Sequence, residues 1–332
     1  MSKVNFGLWY DFRNPGPDAP AFEDFYAATL DQIVAAEDLG FGSVWLTEHH
    51  FCDDGYTPSP LVIGAAIGAR TRNMRLGTNL IILPLHDPVR VAEDAATLSL
   101  LTRGRFDLGV AIGYRQAEFD AFGRQLGHRP SLLEEAVDVI RRGWSGQPLN
   151  YRGKRFEYGD VRVMPVPEHA PRILIGGMSP PAIDRVARIG DGFLSTGGLG
   201  HDDYLAALAR HGRRPEDGAI FAGHWAIIAE DPAAEAKRIG RHVLYQSNQY
   251  IEWGAFGPPE TTPRFKTAKD AIEGGLYELW TAEQAVANLS NLLERYPQIR
   301  DLHFWAQFPG EPVESGTRRM EYIAEKVLPR LR

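Results

Sequence analysis

A carboxylate and two imidazoles stand next to one another at Glu48, His49 and His50. They follow a short apolar run, 42–46, that is typical of a buried strand. In a parallel α/β barrel the carboxyl ends of the strands carry the chemistry. Three titratable side chains at such a position predict acid–base work, because an imidazole can take or give a proton near neutral pH.

The same triplet could instead bind a metal ion. Adjacent side chains on an extended strand point to opposite faces, so His49 and His50 cannot easily share one ion. No further cluster of His, Cys or Asp ligands stands out along the sequence. We therefore predict no metal site.

The turn Gly176-Gly177-Met178-Ser179 is a second candidate site, because it follows a predicted strand and precedes a predicted helix. Two glycines let the backbone approach a ligand closely, and a helix N-terminus presents free N–H groups to an anion. Ser179 adds a hydroxyl, and Pro180 and Pro181 suit the first helical turn. The alternative is a plain tight turn with an N-cap residue.

Short apolar runs alternate with longer amphipathic stretches, which is typical of a parallel sheet with helical crossovers. The predicted strands are 4–10, 43–47, 74–83, 105–111, 172–175, 192–195, 219–229 and 299–306. The predicted helices are 22–39, 61–70, 89–101, 131–144, 181–189, 204–211, 233–246 and 313–331. These units predict an α/β fold closed into an eight-stranded parallel (β/α)8 TIM barrel. The alternative is an open doubly wound sheet with a second domain.

Two stretches interrupt this alternation. Residues 145–171 are polar and Gly-rich, with strand-like residues around turns, and predict a small hairpin. Residues 247–282 contain prolines and a Gly-Gly pair without periodicity and are too long for a simple loop. We predict a single domain over 1–332, with a non-barrel insertion near 247–282 that covers the site or forms an oligomer contact.

The composition disfavours several classes of protein. The 332 residues carry a formal net charge of -7, so a nucleic-acid partner is not expected. Cys52 is the single cysteine, so no internal disulfide can form, which fits a reducing compartment. We see no secretory signal and no apolar stretch approaching the roughly 20 residues that cross a bilayer, and we expect a cytoplasmic protein without a membrane segment.

Four blocks of the sequence resemble the bacterial luciferase-like flavin-dependent monooxygenases. The first runs from Ala36-Glu37-Asp38-Leu39-Gly40 to Glu48-His49-His50-Phe51, and the second from Arg75-Leu76-Gly77-Thr78-Asn79 to Ala92-Glu93-Asp94. The third runs from Gly104-Arg105-Phe106-Asp107 to Phe122-Gly123, and the last joins Ile175-Gly176-Gly177-Met178-Ser179 to Gly190-Asp191-Gly192-Phe193. Together they are specific for the family and much less specific for one reaction.

The resemblance implies an α/β barrel with a long insertion after strand seven, and a flavin bound at the carboxyl face. It makes 176–179 part of the flavin phosphate site and places Gly113 and Tyr114 near the flavin. It puts Asn79-Leu80 where the family can hold a non-prolyl cis peptide under the flavin ring; the alternative is an ordinary strand.

His49 is the position that matches the luciferase histidine considered a catalytic base. Glu48 is expected to orient either His49 or His50. The alternative is that His49 is a structural histidine bonded to a neighbouring loop.

The chain also departs from the luciferases. Ala111 stands in the place of their reactive cysteine, and Ile112 in the place of an arginine near the phosphate. The first departure argues against light emission. The second leaves the phosphate without its cation, for which Arg115, Arg129 and Arg152 are candidates.

Aromatic residues near predicted strand ends suit the walls of a pocket for an organic substrate or a flavin ring. We predict Tyr10, Trp225 and Trp305 as pocket walls. The alternative for each is ordinary core packing.

The resemblance implies an enzyme: a monooxygenase that uses reduced FMN, delivered by a separate flavin reductase, and O2 to oxidise a small organic substrate. A homodimer or higher homo-oligomer is expected on the same ground. Two alternatives stay open, namely hydride transfer with the deazaflavin coenzyme and a flavin-binding protein without turnover. The substrate is not readable, because pocket loops vary independently of the fold.

Overall fold

Eight parallel strands form a closed barrel in the computed structural model, which describes residues 4–331. They are β1 (Asn5–Tyr10), β2 (Ser43–Leu46), β3 (Arg75–Thr78), β4 (Phe106–Ala111), β5 (Arg172–Gly176), β6 (Gly192–Thr196), β7 (Ile220–His224) and β8 (Ile299–Trp305). Each strand pairs in parallel with the next, and β8 pairs with β1, so the sheet has no edge. The predicted eight-stranded TIM barrel is confirmed.

The strands read as continuous apolar runs because the barrel interior covers one face and the helices cover the other. All six residues of β4 are buried. The main core lies between barrel and helices, and a second cluster around Trp9, Trp45 and Trp305 fills the barrel interior towards its carboxyl end.

Helices follow the strands around the outside. They are α1 (Phe22–Asp38), α2 (Pro60–Arg70), α3 (Pro88–Leu101), α4 (Arg129–Gly143), α5 (Pro180–Ile189), α6 (His201–Arg210), α7 (Ala282–Arg295) and α8 (Val313–Lys326). Asp87 caps α3 by accepting the N–H groups of Val89 and Arg90, and Thr281 begins α7 with a capping box to Gln284. The sequence prediction missed α7, although this capping signal precedes an amphipathic stretch.

The predicted strand 74–83 is interrupted. The Asn79-Leu80 peptide bond is cis, as the family resemblance implies, and the chain resumes as the short strand Ile81–Ile82 against the end of β4. A short 3-10 turn, Leu83–Leu85, then leads to α3.

The predicted strand 219–229 is also two strands. After β7 the chain leaves the barrel at Trp225, and Ala226–Ile228 pairs in parallel with Glu278–Trp280 in a separate sheet. Between these two strands lie the helices Pro232–Arg238, Gly240–Trp253 and Ala268–Ala271 and the π-helix Ile272–Leu276. The single-domain division and the bounds of the insertion, 247–282, stay predictions.

Smaller elements complete the described chain. They are the antiparallel hairpin of Leu149–Arg152 and Glu157–Val161, the helices Gln116–Ala121 and Leu328–Leu331, and the 3-10 turns Leu126–His128 and Pro215–Asp217. The hairpin lies inside the predicted stretch 145–171. Within residues 4–331, no helix combines the length and the apolarity that crossing a membrane requires.

Candidate active site

His49 lies buried beyond the carboxyl end of β2, held by a partner at each ring nitrogen. Its Nδ1 is 2.8 Å from Oε1 of Glu118, and its Nε2 is 3.0 Å from the hydroxyl of Tyr114. Glu118 is fully buried on the helix Gln116–Ala121 and also accepts the backbone N–H of His50. The carboxylate therefore fixes both the imidazole ring and the backbone beside it.

This arrangement sets the tautomer of His49. A carboxylate only accepts, so Nδ1 carries the proton and Nε2 presents its lone pair to the Tyr114 hydroxyl. Burial raises the pKa of Tyr114 well above its usual range, which keeps the phenol protonated as the donor. Gly113 adopts φ +70, a turn that a side chain would obstruct, because a Cβ there would lie 2.5 Å from Ile82. The three groups form a short path for a proton.

Glu48 points away from His49. Its Oε2 accepts the backbone N–H of Ile82, and its Oε1 is 2.9 Å from Nε2 of His86 and 3.3 Å from Nε2 of His50. Burial alone would raise the pKa of Glu48, but His86 and His50 outweigh it and lower that pKa to about 2. Burial likewise opposes the charge on His86, yet Glu48 raises the His86 pKa. The sequence left open whether Glu48 orients His49 or His50. In the structure the Glu48 carboxylate faces the ring of His50.

A buried network holds Asn79 in place. Its backbone N–H donates to Leu46 O, its backbone carbonyl accepts from Trp9 Nε1, and its side-chain amide lies 2.9 Å from Nε2 of His303. Nδ1 of His303 lies 3.0 Å from Asp301, and burial lowers the pKa of His303. A neutral imidazole donates to Asp301 and accepts from the Asn79 amide, so the network fixes the orientation of that amide.

Indole rings pack against one another at the carboxyl end of the barrel, which we call the barrel mouth. Trp305 stacks on Trp9 with ring centroids 4.4 Å apart, and Trp225 meets Trp305 edge-on at 6.0 Å. The indole N–H groups of Trp225 and Trp305 are buried without a partner among the described residues. Unsatisfied buried donors among packed aromatic rings suit a ligand that carries acceptor groups.

Tyr10, the third predicted pocket wall, faces the other way. Its hydroxyl donates to Gln32 on α1 and lies 3.9 Å from the sulfur of Met320 on α8. Because side chains alternate along a strand, Trp9 points into the barrel and Tyr10 into the helical layer. The pocket-wall prediction for Tyr10 is therefore wrong, and Trp9 is the neighbouring β1 residue that faces the barrel interior.

Arg13, which the sequence analysis missed, lies fully buried just beyond β1. Its Nε donates to Asp54 at 2.6 Å, while both terminal nitrogens are buried without a partner within residues 4–331. Its guanidinium lies 5.1 Å from the ring centres of Tyr56, Tyr245 and Trp253. Free guanidinium donors inside an aromatic enclosure can bind an acceptor oxygen, since orphaned buried N–H groups are costly.

The helix Gly240–Trp253 covers this enclosure. Its last residue, Trp253, lies 4.9 Å from the His49 ring, 5.9 Å from the Tyr56 ring and 5.0 Å from the Arg115 guanidinium. Tyr250 on the same helix shares a hydrogen bond of 2.9 Å with the Tyr56 hydroxyl. The helix thus closes the site over His49 with large apolar surfaces that exclude water.

The turn Gly176-Gly177-Met178-Ser179 lies at the carboxyl end of β5 and leads into α5. The N–H groups of Met178, Ser179 and Ala182 donate to no group among the described residues, and the Ser179 hydroxyl makes no capping bond. Met178 is 60% exposed, so these donors face an open surface. This donor set fits a phosphate or another anion at the positive end of the helix.

The three arginines predicted as candidate cations for the phosphate differ in whether their side chains already have partners. Arg115 is occupied, because it donates to the His50 carbonyl and packs on Trp253. Arg152 is exposed on the hairpin and pairs with Glu157. Arg129 is half-buried at the first position of α4 and has no side-chain partner within 4–331.

A contact between α4 and α5 indicates that Arg129, at the start of α4, lies at a height similar to that of the turn 176–179, which precedes α5. Glu134 on α4 and Arg185 on α5 are each five residues beyond the start of their helices, and their side chains join at 2.8 Å. The starts of the two helices must then lie at a similar height. Arg129 is the candidate cation that the structure leaves available for this turn.

A family model described as luciferase-like monooxygenase matches residues 4–295. The chain belongs to this family. A relative of similar length, the uncharacterized protein y4vJ of Sinorhizobium fredii, is 30% identical over 310 residues, 90% of this chain and 80% of the relative. The chain is therefore a luciferase-like oxidoreductase.

Relatives with named activities fall in two groups. The 4-hydroxyprotoasukamycin monooxygenase of Streptomyces nodosus is 27% identical over 294 residues, 82% of this chain and 77% of that protein. The F420-dependent glucose-6-phosphate dehydrogenase of Amycolatopsis mediterranei is 30% identical over 186 residues, 54% of this chain and 56% of that enzyme. The luciferase-like family thus contains both oxygen-using and F420-using enzymes.

Solved structures of the luciferase-like class share the fold along the whole chain. The monooxygenase RslO1 of Streptomyces bottropensis superposes with a TM-score of 0.81 at 24% identity, covering 99% of this chain and 100% of that one. The oxygenating constituent of 3,6-diketocamphane monooxygenase of Pseudomonas putida, in complex with FMN, gives 0.79 at 18% identity, covering 100% and 99%. At these identities the likeness concerns the fold.

Proposed function

We propose that this protein is an FMN-dependent monooxygenase that uses O2 to oxidise a small organic substrate. The observation that carries the proposal is that His49, packed under the rings of Trp253 and Tyr250, closely follows the strand end to which Asn79 bonds. Asn79 bonds to the end of β2 through Leu46, and His49 follows three residues later. The match to a monooxygenase along most of the chain supports the same reading.

The turn 176–179 would hold the phosphate of the flavin through backbone N–H groups that have no partner within residues 4–331 and through the Ser179 hydroxyl, and Arg129, at the start of the neighbouring helix, would supply the cation. Asn79-Leu80 and Tyr114 would hold the isoalloxazine ring. When bound, reduced FMN supplies the electrons that activate O2, which no side chain of this protein can do alone.

His49 would hold or move a proton at Nε2. In the structure Tyr114 donates to this nitrogen, and Glu118 stabilises the imidazolium that forms when His49 accepts a proton. Trp253 and Tyr250 keep bulk water from this region. Exclusion of water prevents the loss of reducing equivalents to side reactions.

An acceptor oxygen of the substrate would bind near Arg13. Asp54 neutralises much of the Arg13 charge, and Asp11 adds a further carboxylate, so a neutral carbonyl oxygen suits the site better than a dianion. Trp225 and Trp305 provide two further donors for such a ligand.

The test is an anaerobic titration of the purified protein with reduced FMN, run beside reduced coenzyme F420. Selective micromolar binding of reduced FMN supports the proposal and justifies a substrate screen in which O2 consumption is measured. Selective binding of F420 would assign oxygen-independent hydride transfer, the activity of the F420-dependent relatives. Binding of neither would overturn the assignment of the cofactor site, and binding of FMN without any oxygen-dependent product would indicate a protein without turnover.

We also propose that a separate reductase delivers the flavin and that the protein is a homodimer. Val62 on α2 and Leu101 on the adjacent α3 are 71% and 59% exposed, and exposed apolar side chains on neighbouring helices suit contact with a second copy. Light scattering of wild type and Val62→Lys/Leu101→Lys would measure the oligomeric state. A monomeric wild type, or a double variant that remains a dimer, would contradict this interface.

A further inference from the structure

Glu48, His50 and His86 point one atom each at the same small volume. Glu48 Oε1 is 2.9 Å from Nε2 of His86 and 3.3 Å from Nε2 of His50, and the three atoms lie within 4.8 Å of one another. Glu48 and His50 are almost completely buried, whereas 29% of the His86 side chain is exposed. The cluster is therefore closed on the protein side and open on one side to solvent.

The backbone explains why these three side chains meet. Glu48 and His50 are two residues apart on extended chain, so they share a face that His49 does not share. The short turn Leu83–Leu85 brings His86 to this face from the neighbouring strand. From the sequence we predicted no metal site, because His49 and His50 cannot easily share one ion and no further cluster of ligands stood out. His86 was missed because 36 residues separate it from His50.

We propose that Glu48 Oε1, His50 Nε2 and His86 Nε2 bind one divalent transition-metal ion of the Zn²⁺ type. Two imidazoles and a carboxylate are a known donor set for this ion, with a fourth, open position for water. The exposed edge of His86 supplies that open side. This site is separate from the His49–Glu118 pair and does not depend on the proposed function.

Three further observations support a ligand at this point. Within residues 4–331, Nε2 of His50 is buried without a hydrogen-bond partner, although it faces the Glu48 carboxylate. The other oxygen of Glu48 is anchored by the backbone N–H of Ile82, which leaves Oε1 directed at the two rings. Phe122 packs edge-on against the His50 ring at 4.9 Å and limits its rotation. The donors are thus preoriented by their surroundings.

A bound ion would join the chain after β2 to the chain after β3. Both segments border the candidate active site, through His49 on one side and Asn79-Leu80 on the other. We therefore expect the ion to stabilise the fold at the barrel mouth, and the proposal assigns it no step in the reaction.

The experiment uses the full chain without an affinity tag, stripped with a chelator and dialysed. Calorimetric titration with ZnCl2 should give one ion per chain, and Co²⁺ should develop the visible absorption of a tetrahedral or five-coordinate site with nitrogen ligands. Thermal denaturation should shift to higher temperature when the ion is added. Glu48→Gln and His86→Asn should each weaken Zn²⁺ binding roughly 100-fold or more, because each removes a direct ligand.

His211→Asn is the matched control. His211 also pairs with a carboxylate, Asp184 at 3.1 Å, but on the exposed side of the helical layer. This variant should bind Zn²⁺ as the wild type does. Loss of the ion in His211→Asn, or retention of it in both Glu48→Gln and His86→Asn, would overturn the assignment.

If a variant does not fold, Zn²⁺ and Co²⁺ binding to the wild-type protein still tests the proposed site. No Zn²⁺ binding at concentrations up to roughly 100 μM, or a Co²⁺ complex without nitrogen ligation, would show that Glu48 only holds a hydrogen bond to His86 and an electrostatic contact with His50, because sites of this donor set bind far more tightly.

Discussion

His49 illustrates how much a single side chain depends on partners that are distant in sequence. Its ring is set by Glu118, 69 residues away, and by Tyr114, 65 residues away. The residue type alone indicated acid–base work. The partners determine that Nδ1 donates and that Nε2 is the atom available for proton transfer.

We expect His49→Gln to lower the rate of substrate oxidation about 100-fold or more while the Kd of reduced FMN stays within about threefold. The reason is that glutamine keeps a polar side chain but cannot take up a proton at Nε2. Stopped-flow turnover and anaerobic flavin titration measure the two quantities. Tyr114→Phe is the control and should cost less, since it removes only the hydroxyl that donates to Nε2. Equal rates in wild type and His49→Gln would contradict the role of His49.

The buried carboxyl group of Asp11 should make the stability of the fold depend on pH. Burial raises the pKa of Asp11 from 3.8 to about 6, a shift that Arg13 only partly offsets. Between these two values the folded protein holds a proton that the unfolded chain has released, so this group lowers the stability as the pH rises through that window.

Asp11→Asn removes this titration. The Tm of Asp11→Asn relative to wild type should therefore increase from pH 4 to pH 7, whatever constant offset the lost hydrogen bonds produce. Thermal denaturation followed by circular dichroism measures the difference. Asp203→Asn, which replaces an exposed carboxylate on α6, provides the control and should give a flat difference. A flat difference for Asp11→Asn as well would contradict the raised pKa.

Among the secondary-structure elements, the helix Gly240–Trp253 covers the candidate site and so limits the access of solvent and ligands to it. Three of its residues, Tyr245, Tyr250 and Trp253, pack on groups of the barrel mouth. The sequence prediction ended a helix at 246 and assigned the following residues to an aperiodic segment. The helix continues to Trp253 because its inner face is buried against the barrel, with Gly254 in the left-handed conformation as its C-cap.

Trp253→Ala should expose Arg13, which is fully buried in the wild type. We expect phenylglyoxal to modify Arg13 severalfold faster in the variant, as mapped by mass spectrometry. If the proposed function holds, more O2 should also be released as hydrogen peroxide, because water reaches the site. Phe256→Ala is the control: this ring contacts Trp225 and Tyr250 but not Arg13. Unchanged modification in Trp253→Ala would mean that the helix is not the cover of Arg13.

At the scale of the whole molecule, the closed barrel brings together groups from distant parts of the chain. Asp107 at the start of β4 is 1% exposed and accepts hydrogen bonds from Arg75 on β3 and Arg172 on β5. This carboxylate joins three strands at the end of the barrel opposite the candidate site.

We expect Asp107→Asn to lower the free energy of unfolding by on the order of 2–3 kcal/mol, somewhat less than for a fully buried pair because both arginines are partly exposed. Reduced-flavin affinity should be unchanged, since the site lies at the other end of the barrel. Urea denaturation and flavin titration measure the two effects. Asp138→Asn, which removes an exposed i,i+4 ion pair with Arg142, is the control and should cost little. Equal unfolding free energies for Asp107→Asn and wild type would contradict this role.

The barrel, most of its strands and several of its candidate site residues were predictable from the sequence. Strands such as β4 are covered on both faces, so their apolar runs stand out against the polar turns around them. The acidic and imidazole side chains after β2 and the glycine turn after β5 were visible for the same reason: each follows a strand directly, and local sequence encodes strand ends.

Which side chains meet was visible in the folded structure but not in the sequence. Closure of the barrel placed Glu118 on His49, His86 on Glu48, and Trp253 over Arg13, and none of these pairs leaves a local signal. Closure also placed Trp9 inside the barrel and Tyr10 against the helices. Side chains alternate between these two faces along a strand, and the pairing of β1 with β8 is needed to tell which residues face inwards. Contacts between distant segments arise from the packing of the whole chain, and a single sequence does not carry that information in any one stretch.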